Sequence, residues 1–147
     1  MKEQPKDTIE MTIPAKADFV GVVRLAVSGI ASRMGFSYDD IEDLKVAVAE
    51  ACTNAVHHAY KDQRGEILIF CGIFPDRLEI EVVDRGPSFD IAKVQSRSGP
   101  LNGHMPVHAL PERGLGLYLM KSLMDKVEIK GDGGIAVTLT KYIRRDE

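Results

Sequence analysis

The reading turns on Val46-Ala-Val-Ala-Glu50-Ala-Cys-Thr-Asn54-Ala-Val-His-His58-Ala-Tyr60, a stretch in which Glu50 is the only carboxylate. At about 100° per residue, Ile41, Leu44, Val48, Ala51, Cys52, Ala55 and Ala59 share one broad face, the core stripe of a helix. Glu50 and Asn54 sit one turn apart on a different stripe, with Ala47 between that stripe and the core. A solvent-facing helix of this length would carry several Lys and Glu. Here the neighbours are small, and they leave room for something to approach. One reading is a tightly packed helix with a single exposed Glu. The other is a carboxylate and an amide presented together, the first able to take a proton from a nucleophile and the second a hard oxygen ligand suited to Mg²⁺.

Upstream, Ser37 with Asp40 three residues later resembles a capping box and starts this helix, which runs to about Tyr60. Before it, Phe19, Val22, Val23, Ala26, Val27, Ile30 and Met34 recur at helical spacing until Gly35 stops them. Ile9, Met11 and Ile13 alternate with polar residues in a half-buried strand ended by Pro14. Downstream, residues 66–74 and 78–83 read as strands joined by Pro75-Asp76-Arg77. In the second of these, Leu78, Ile80 and Val82 alternate with Glu79 and Glu81, so one face is buried. A third helix is expected over 115–124, and residues 126–130 and 135–142 form a closing hairpin. The expected fold is α+β, a two-layer sandwich with helices on one face of a mostly antiparallel mixed sheet.

With 147 residues the chain reads as a single domain, 1–147, able to bury about 70% of the surface its unfolded form exposes. The formal charge of −3 lacks the basic field of a nucleic-acid binder. No run approaches the length needed to cross a bilayer, and the amino terminus lacks a signal-peptide core. Cys52 and Cys71 stand alone, one in a helix pattern and one in a strand pattern. They read as buried, reduced thiols of a cytoplasmic protein rather than zinc ligands.

Two further segments carry polar chemistry. Asp84 ends a strand and is followed by Arg85-Gly86-Pro87, which by itself is a plain turn. A carboxylate held there can also accept a hydrogen bond from an exocyclic amine such as adenine offers. Glu112-Arg113-Gly114-Leu115-Gly116-Leu117 opens the third helix, where glycines let phosphates approach backbone N–H groups. Neither a Walker loop nor a Rossmann fingerprint is present. Between these segments, residues 96–111 are long for a loop in a compact domain and are expected to form a lid.

The order of these elements is more specific than any one of them. Glu50-Ala-Cys-Thr-Asn54-Ala-Val-His-His58, then Val83-Asp84-Arg-Gly86, then Arg113-Gly114-Leu-Gly116-Leu resembles the three nucleotide-binding boxes shared by gyrase, Hsp90, histidine kinases and MutL. Within that superfamily the whole chain is similar to the anti-sigma-factor serine kinases of Gram-positive bacteria, including Ala31-Ser-Arg-Met-Gly35, Ile41-Glu-Asp-Leu-Lys45 and Gly116-Leu-Tyr-Leu-Met120.

The resemblance implies a Bergerat-type ATP-binding fold that uses ATP and Mg²⁺. Glu50 would be the general base, Asn54 would hold Mg²⁺, Asp84 would read adenine and Gly86 would let the base approach. Gly114, Leu115, Gly116 and Leu117 would cradle the phosphates, with Arg113 and His58 as further contacts; for the histidine a packed or solvated ring stands as the alternative. It also implies a serine on an anti-sigma-factor antagonist as substrate, a sigma factor (sigma-B in the general-stress branch) as binding partner, and a homodimer. A binding protein holding ATP or ADP as a structural ligand, and a plain ATPase, are the other two readings. Three departures stand out. Ser88 occupies the place of a second glycine after Asp84. The Gly134-Ile135-Ala136-Val137 segment lacks a threonine that related ATPases place near adenine, a role not carried to Thr138. Arg113 adjoins Gly114, where a sporulation relative has its arginine one residue earlier.

Overall fold

A computed structural model describes residues 3–59, 65–84, 112–131 and 135–144; for 58, 59 and 112–115 it describes the backbone alone. The elements run β1 (Asp7–Pro14), a 3-10 turn (Ala17–Phe19), α1 (Val20–Met34), α2 (Tyr38–Ala59), β2 (Glu66–Ile73), β3 (Arg77–Asp84), α3 (Glu112–Leu123), β4 (Lys126–Gly131) and β5 (Ile135–Tyr142). The five strands form one sheet in the order β1-β2-β3-β5-β4, and all four pairings are antiparallel.

Alternation decides which face of the sheet is covered. Leu78, Ile80 and Val82 of β3 are buried, as are Ile67, Ile69 and Cys71 of β2 and Leu139 of β5. They meet Val23, Val27 and Ala31 of α1, Leu44, Val48 and Cys52 of α2, and Leu117 and Met120 of α3 in one core. Fully burying each branched side chain is worth about 1.5–3 kcal/mol. The opposite face carries Phe70, Glu79, Glu81, Thr138, Thr140, Lys126 and Glu128 and, among the described residues, no helix. The result is two layers, helices on one side of an antiparallel sheet.

Local signals set the ends of the helices. Gly35 adopts φ 95°, a left-handed conformation that closes α1, and its N–H reaches the carbonyls of Ala31 and Ser32. Phe36 N–H donates back to the Ala31 carbonyl at 3.1 Å, completing a Schellman end. The Asp40 N–H donates to Ser37 Oγ at 3.2 Å, the capping arrangement expected for α2. The α3 helix begins at Glu112, three residues before the expected start at Leu115, so Gly114 and Gly116 lie within its first turns rather than at its edge. The segment 96–111 and Gly86 lie outside the described residues.

Candidate functional site

Glu50 and Asn54 are four apart on α2, so they stand one above the other on a shared face. Both are half-buried, beside the buried Ala47, Ala51 and Ala55. The face they share meets α3 at Gly116. A Cβ placed on Gly116 would lie 2.8 Å from Glu50 Oε2, 3.4 Å from Asn54 Nδ2 and 3.6 Å from Asn54 Oδ1. Glycine at this position leaves the Glu50 carboxylate where it stands. Any side chain would strike the carboxylate first.

Asp84 ends β3 on the covered face of the sheet, paired in register with Ile135 of β5, and is only 3% exposed. Its neighbours form a small cavity of about 30 Å³, lined by Ala51, Asn54, Ala55, Val82, Asp84, Ile135 and Val137. Apart from Asp84 and Asn54 this lining is aliphatic, a floor for a flat ring rather than a chamber enclosing one. One buried carboxylate in an apolar wall gives such a floor a single directional hydrogen-bond acceptor. Asn54 belongs to both groups. It faces Gly116 on one side and lines the Asp84 cavity on the other, so a continuous track runs from Glu50 through Asn54 to Asp84.

Among the described residues no group of three or more His, Cys, Asp or Glu could hold a metal by itself. The donor set present, one carboxamide oxygen beside one carboxylate, suits Mg²⁺ that takes its remaining ligands from phosphate and water.

Four of the residues singled out by sequence thus come together: Glu50, Asn54, Asp84 and Gly116. Leu117 sends its side chain into the core at 2% exposure, and its backbone N–H falls beyond the opening residues of α3, whose N–H groups are the ones without helical partners. Arg113, Gly114 and Leu115 fall in the first turn of α3, and His58 in the last turn of α2. Thr138 points to the open face of the sheet, so it takes no part in the Asp84 cavity. Ile135 and Val137 occupy the β5 positions facing that cavity, in the segment that sequence comparison had set against the adenine-side strand of related ATPases for its missing threonine.

The profile of the histidine kinase-like ATPase domain matches residues 13–141, a span that contains every element of this track. The chain belongs to the histidine kinase-like ATPase family. It is similar to the serine-protein kinase RsbW of Bacillus cereus strain G9842, 54% identical over 141 residues, covering 96% of this chain and 88% of that protein. It is equally similar to the serine-protein kinase RsbW of Halalkalibacterium halodurans, 54% identical over 147 residues, all of this chain and 90% of the relative. Among solved structures, that of the RsbU and RsbW domains of a Mycobacterium tuberculosis protein shares the fold, with TM-score 0.67 and 22% identity over 96% of this chain and 34% of that one. In this chain the Glu50–Asn54–Asp84 track lies across the covered side of the sheet, between α2, α3 and the facing strands β3 and β5.

Proposed function

We propose that this chain is a serine-protein kinase that transfers the γ-phosphoryl group of ATP to a serine of an anti-sigma-factor antagonist, and that it binds and inhibits a sigma factor of the general-stress type. The observation that carries the reading is the track from Asp84 to Glu50, with the glycine of α3 closed over its acidic end. Adenine lies against Ala51, Ala55, Val82, Ile135 and Val137 and donates its exocyclic N–H to Asp84. The triphosphate extends past Asn54 toward the amino-terminal end of α3, where backbone N–H groups and the helix dipole favour anions. Asn54 would hold Mg²⁺ together with phosphate oxygens, and the ion would supply charge neutralisation there. Glu50 then stands where the attacking hydroxyl arrives. The serine oxygen bonds to the γ-phosphorus, the bond to the β–γ bridging oxygen breaks, ADP leaves, and the hydroxyl proton passes to the Glu50 carboxylate.

A carboxylate beside the phosphate path distinguishes this from a structural nucleotide site, where no proton needs a destination. The relatives' name as serine-protein kinases supports the same reading. The remaining assignments go with it: a homodimer acting in the cytoplasm, partners that are proteins, no direct contact with nucleic acid or membrane, and residues 96–111 as a lid. The chain's formal charge of −3 suits protein partners better than nucleic acid, and no described helix is long and apolar enough to cross a membrane.

The test is incubation with γ-labelled ATP, Mg²⁺ and a small antagonist protein. Label should appear on the antagonist with the wild-type chain. It should fall by about 10²–10⁴-fold with Glu50→Gln, which keeps the shape and removes the base, while ATP affinity stays close to that of wild type. Undiminished transfer by Glu50→Gln would remove the general base from this reading.

A further inference from the structure

Lys141 is a lysine on the covered face of the sheet. In β5 the alternation that turns Ile135, Val137 and Leu139 toward the helices turns Lys141 the same way, and it is 4% exposed. A buried ammonium needs partners, and Lys141 has three. Its Nζ donates to the Leu123 carbonyl at 2.6 Å, and lies 3.7 Å from Asp40 Oδ1 and 3.6 Å from Asp43 Oδ2. Leu123 is the last residue of α3, where carbonyls lack helical partners. Asp40 and Asp43 stand in the opening turns of α2. One side chain of β5 therefore ties the end of α3 to the beginning of α2. The neighbouring residues reinforce the α3 end: Asp125 N–H donates to the Thr140 carbonyl at 2.9 Å, and Tyr142 N–H donates to Asp125 Oδ2 at 2.7 Å.

These contacts make α2 and α3 an antiparallel pair joined at two places. From Asp43, about two turns along α2 lead to Glu50; from Leu123, about two turns back along α3 lead to Gly116. At that second place the helices touch through Glu50 and the bare Gly116 backbone. A helix is stiff over two turns, so the angle and depth set at Lys141 govern how closely Gly116 bears on the Glu50 carboxylate.

We infer that Lys141 is a positioning residue for phosphoryl transfer: its ammonium sets the α2–α3 spacing that holds the Glu50 carboxylate in one place. The inference rests on the kinase reading above. It adds to that reading a residue remote from the phosphate path whose loss acts through Glu50 and not through nucleotide contact.

The test is a double-mutant cycle on antagonist phosphorylation. Lys141→Met keeps the length of the side chain and removes the charge. It should lower kcat about 10- to 100-fold, the scale on which a small displacement of a catalytic group acts, with ATP affinity little changed. Lys141→Arg should recover most of that loss. In the Glu50→Gln background Lys141→Met should cost almost nothing further, because the group it positions is already disabled. A Lys141→Met rate equal to wild type per folded molecule overturns the inference, as does an equal loss in both backgrounds, which marks a purely structural role. Should Lys141→Met fail to fold, the paired Asp40→Asn and Asp43→Asn variant keeps the bond to Leu123 and weakens the tie to α2. It should lower kcat by a smaller factor with the same dependence on Glu50, and an unchanged kcat overturns the inference equally. Wild-type chain that transfers no label sinks the kinase reading itself. Active wild type with an inactive Glu50→Gln and an unimpaired Lys141→Met sinks Lys141 alone.

Discussion

Glu50 Oε2 lies 2.8 Å from the point where a Cβ on Gly116 would stand. Real Cβ atoms do not approach an oxygen so closely, so one of the two must move if a side chain is added. The atom in the way is the far end of a flexible side chain, and the remaining neighbours, both on Asn54, are at 3.4 Å and beyond. The carboxylate moves, and the backbone does not.

Gly116→Ala should therefore separate stability from activity. Alanine is the better helix former by about 1 kcal/mol, so the melting temperature should hold or rise slightly. Displacing the Glu50 carboxylate should cost about 10- to 100-fold in phosphoryl transfer. A variant that is stable and transfers phosphate at the wild-type rate would show that Glu50 can work from a second position.

How much of this was legible beforehand depends on distance along the chain. Of the α2 stripe read from helical spacing, Leu44, Val48, Ala51, Cys52 and Ala55 are buried and Ile41 is half-buried, while the Ala59 side chain lies outside the described residues. Ala47, read as lying between that stripe and the polar one, is fully buried too. Periodicity describes one contact face, whereas α2 packs against α1, α3 and the sheet together. The glycines of α3 were visible as a helix opening, but the partner that Gly116 accommodates is on another helix, and no local pattern names it. Lys141 left a legible trace, a charge in the inward register of β5 after Ile135, Val137 and Leu139; the strand was expected over 135–142, but its alternation was not followed through to the lysine.

The two thiols give a prediction with a defined sign. Burial pushes Cys52 up to about 12 from an ordinary 9.0, with neighbouring Cys71 adding to the shift. Burial likewise pushes Cys71 up to about 11. Both folded values exceed the unfolded one, so the stabilisation from keeping the thiols protonated is fully present below pH 9 and is lost as pH climbs through the folded values. At neutral pH both should resist thiol reagents until the protein opens. The urea midpoint of wild type should fall between about pH 9 and 11 more steeply than that of a Cys52→Ala, Cys71→Ala double variant. Parallel pH profiles would refute the assignment.

Glycines of α1 should respond in opposite directions. Gly35 holds φ 95° with open space where a Cβ would be, so Gly35→Ala should destabilise by about 1–2 kcal/mol through backbone strain alone. Gly29 lies within the helix, exposed, with nothing within 4 Å of its Cβ position, so Gly29→Ala should stabilise by about 0.5–1 kcal/mol. Denaturant midpoints of the two variants should move to opposite sides of wild type. A shared direction would show that α1 does not end as described.

Asp84 carries the prediction on nucleotide choice. It is the charged member of an otherwise aliphatic lining formed with Ala51, Ala55, Val82, Ile135 and Val137, with Asn54 at its edge. Adenine offers an exocyclic N–H donor to such a carboxylate; guanine offers a carbonyl oxygen at the same position, which would face it with like polarity and no shared proton. ATP should accordingly bind well and GTP poorly. Asp84→Asn replaces a charged acceptor by a neutral one that can also donate. It should weaken ATP by about 1–3 kcal/mol, roughly 5- to 150-fold in Kd, because the adenine amine loses its charge-assisted bond in a site with little water to replace it. The same change should narrow the gap between ATP and GTP, since the amide of the variant can turn its N–H toward a guanine carbonyl. Calorimetry with both nucleotides on both proteins decides the matter: equal ATP affinity for wild type and variant would take Asp84 out of the site, and a weakened ATP affinity with unchanged selectivity would leave it as packing rather than as the reader of the base.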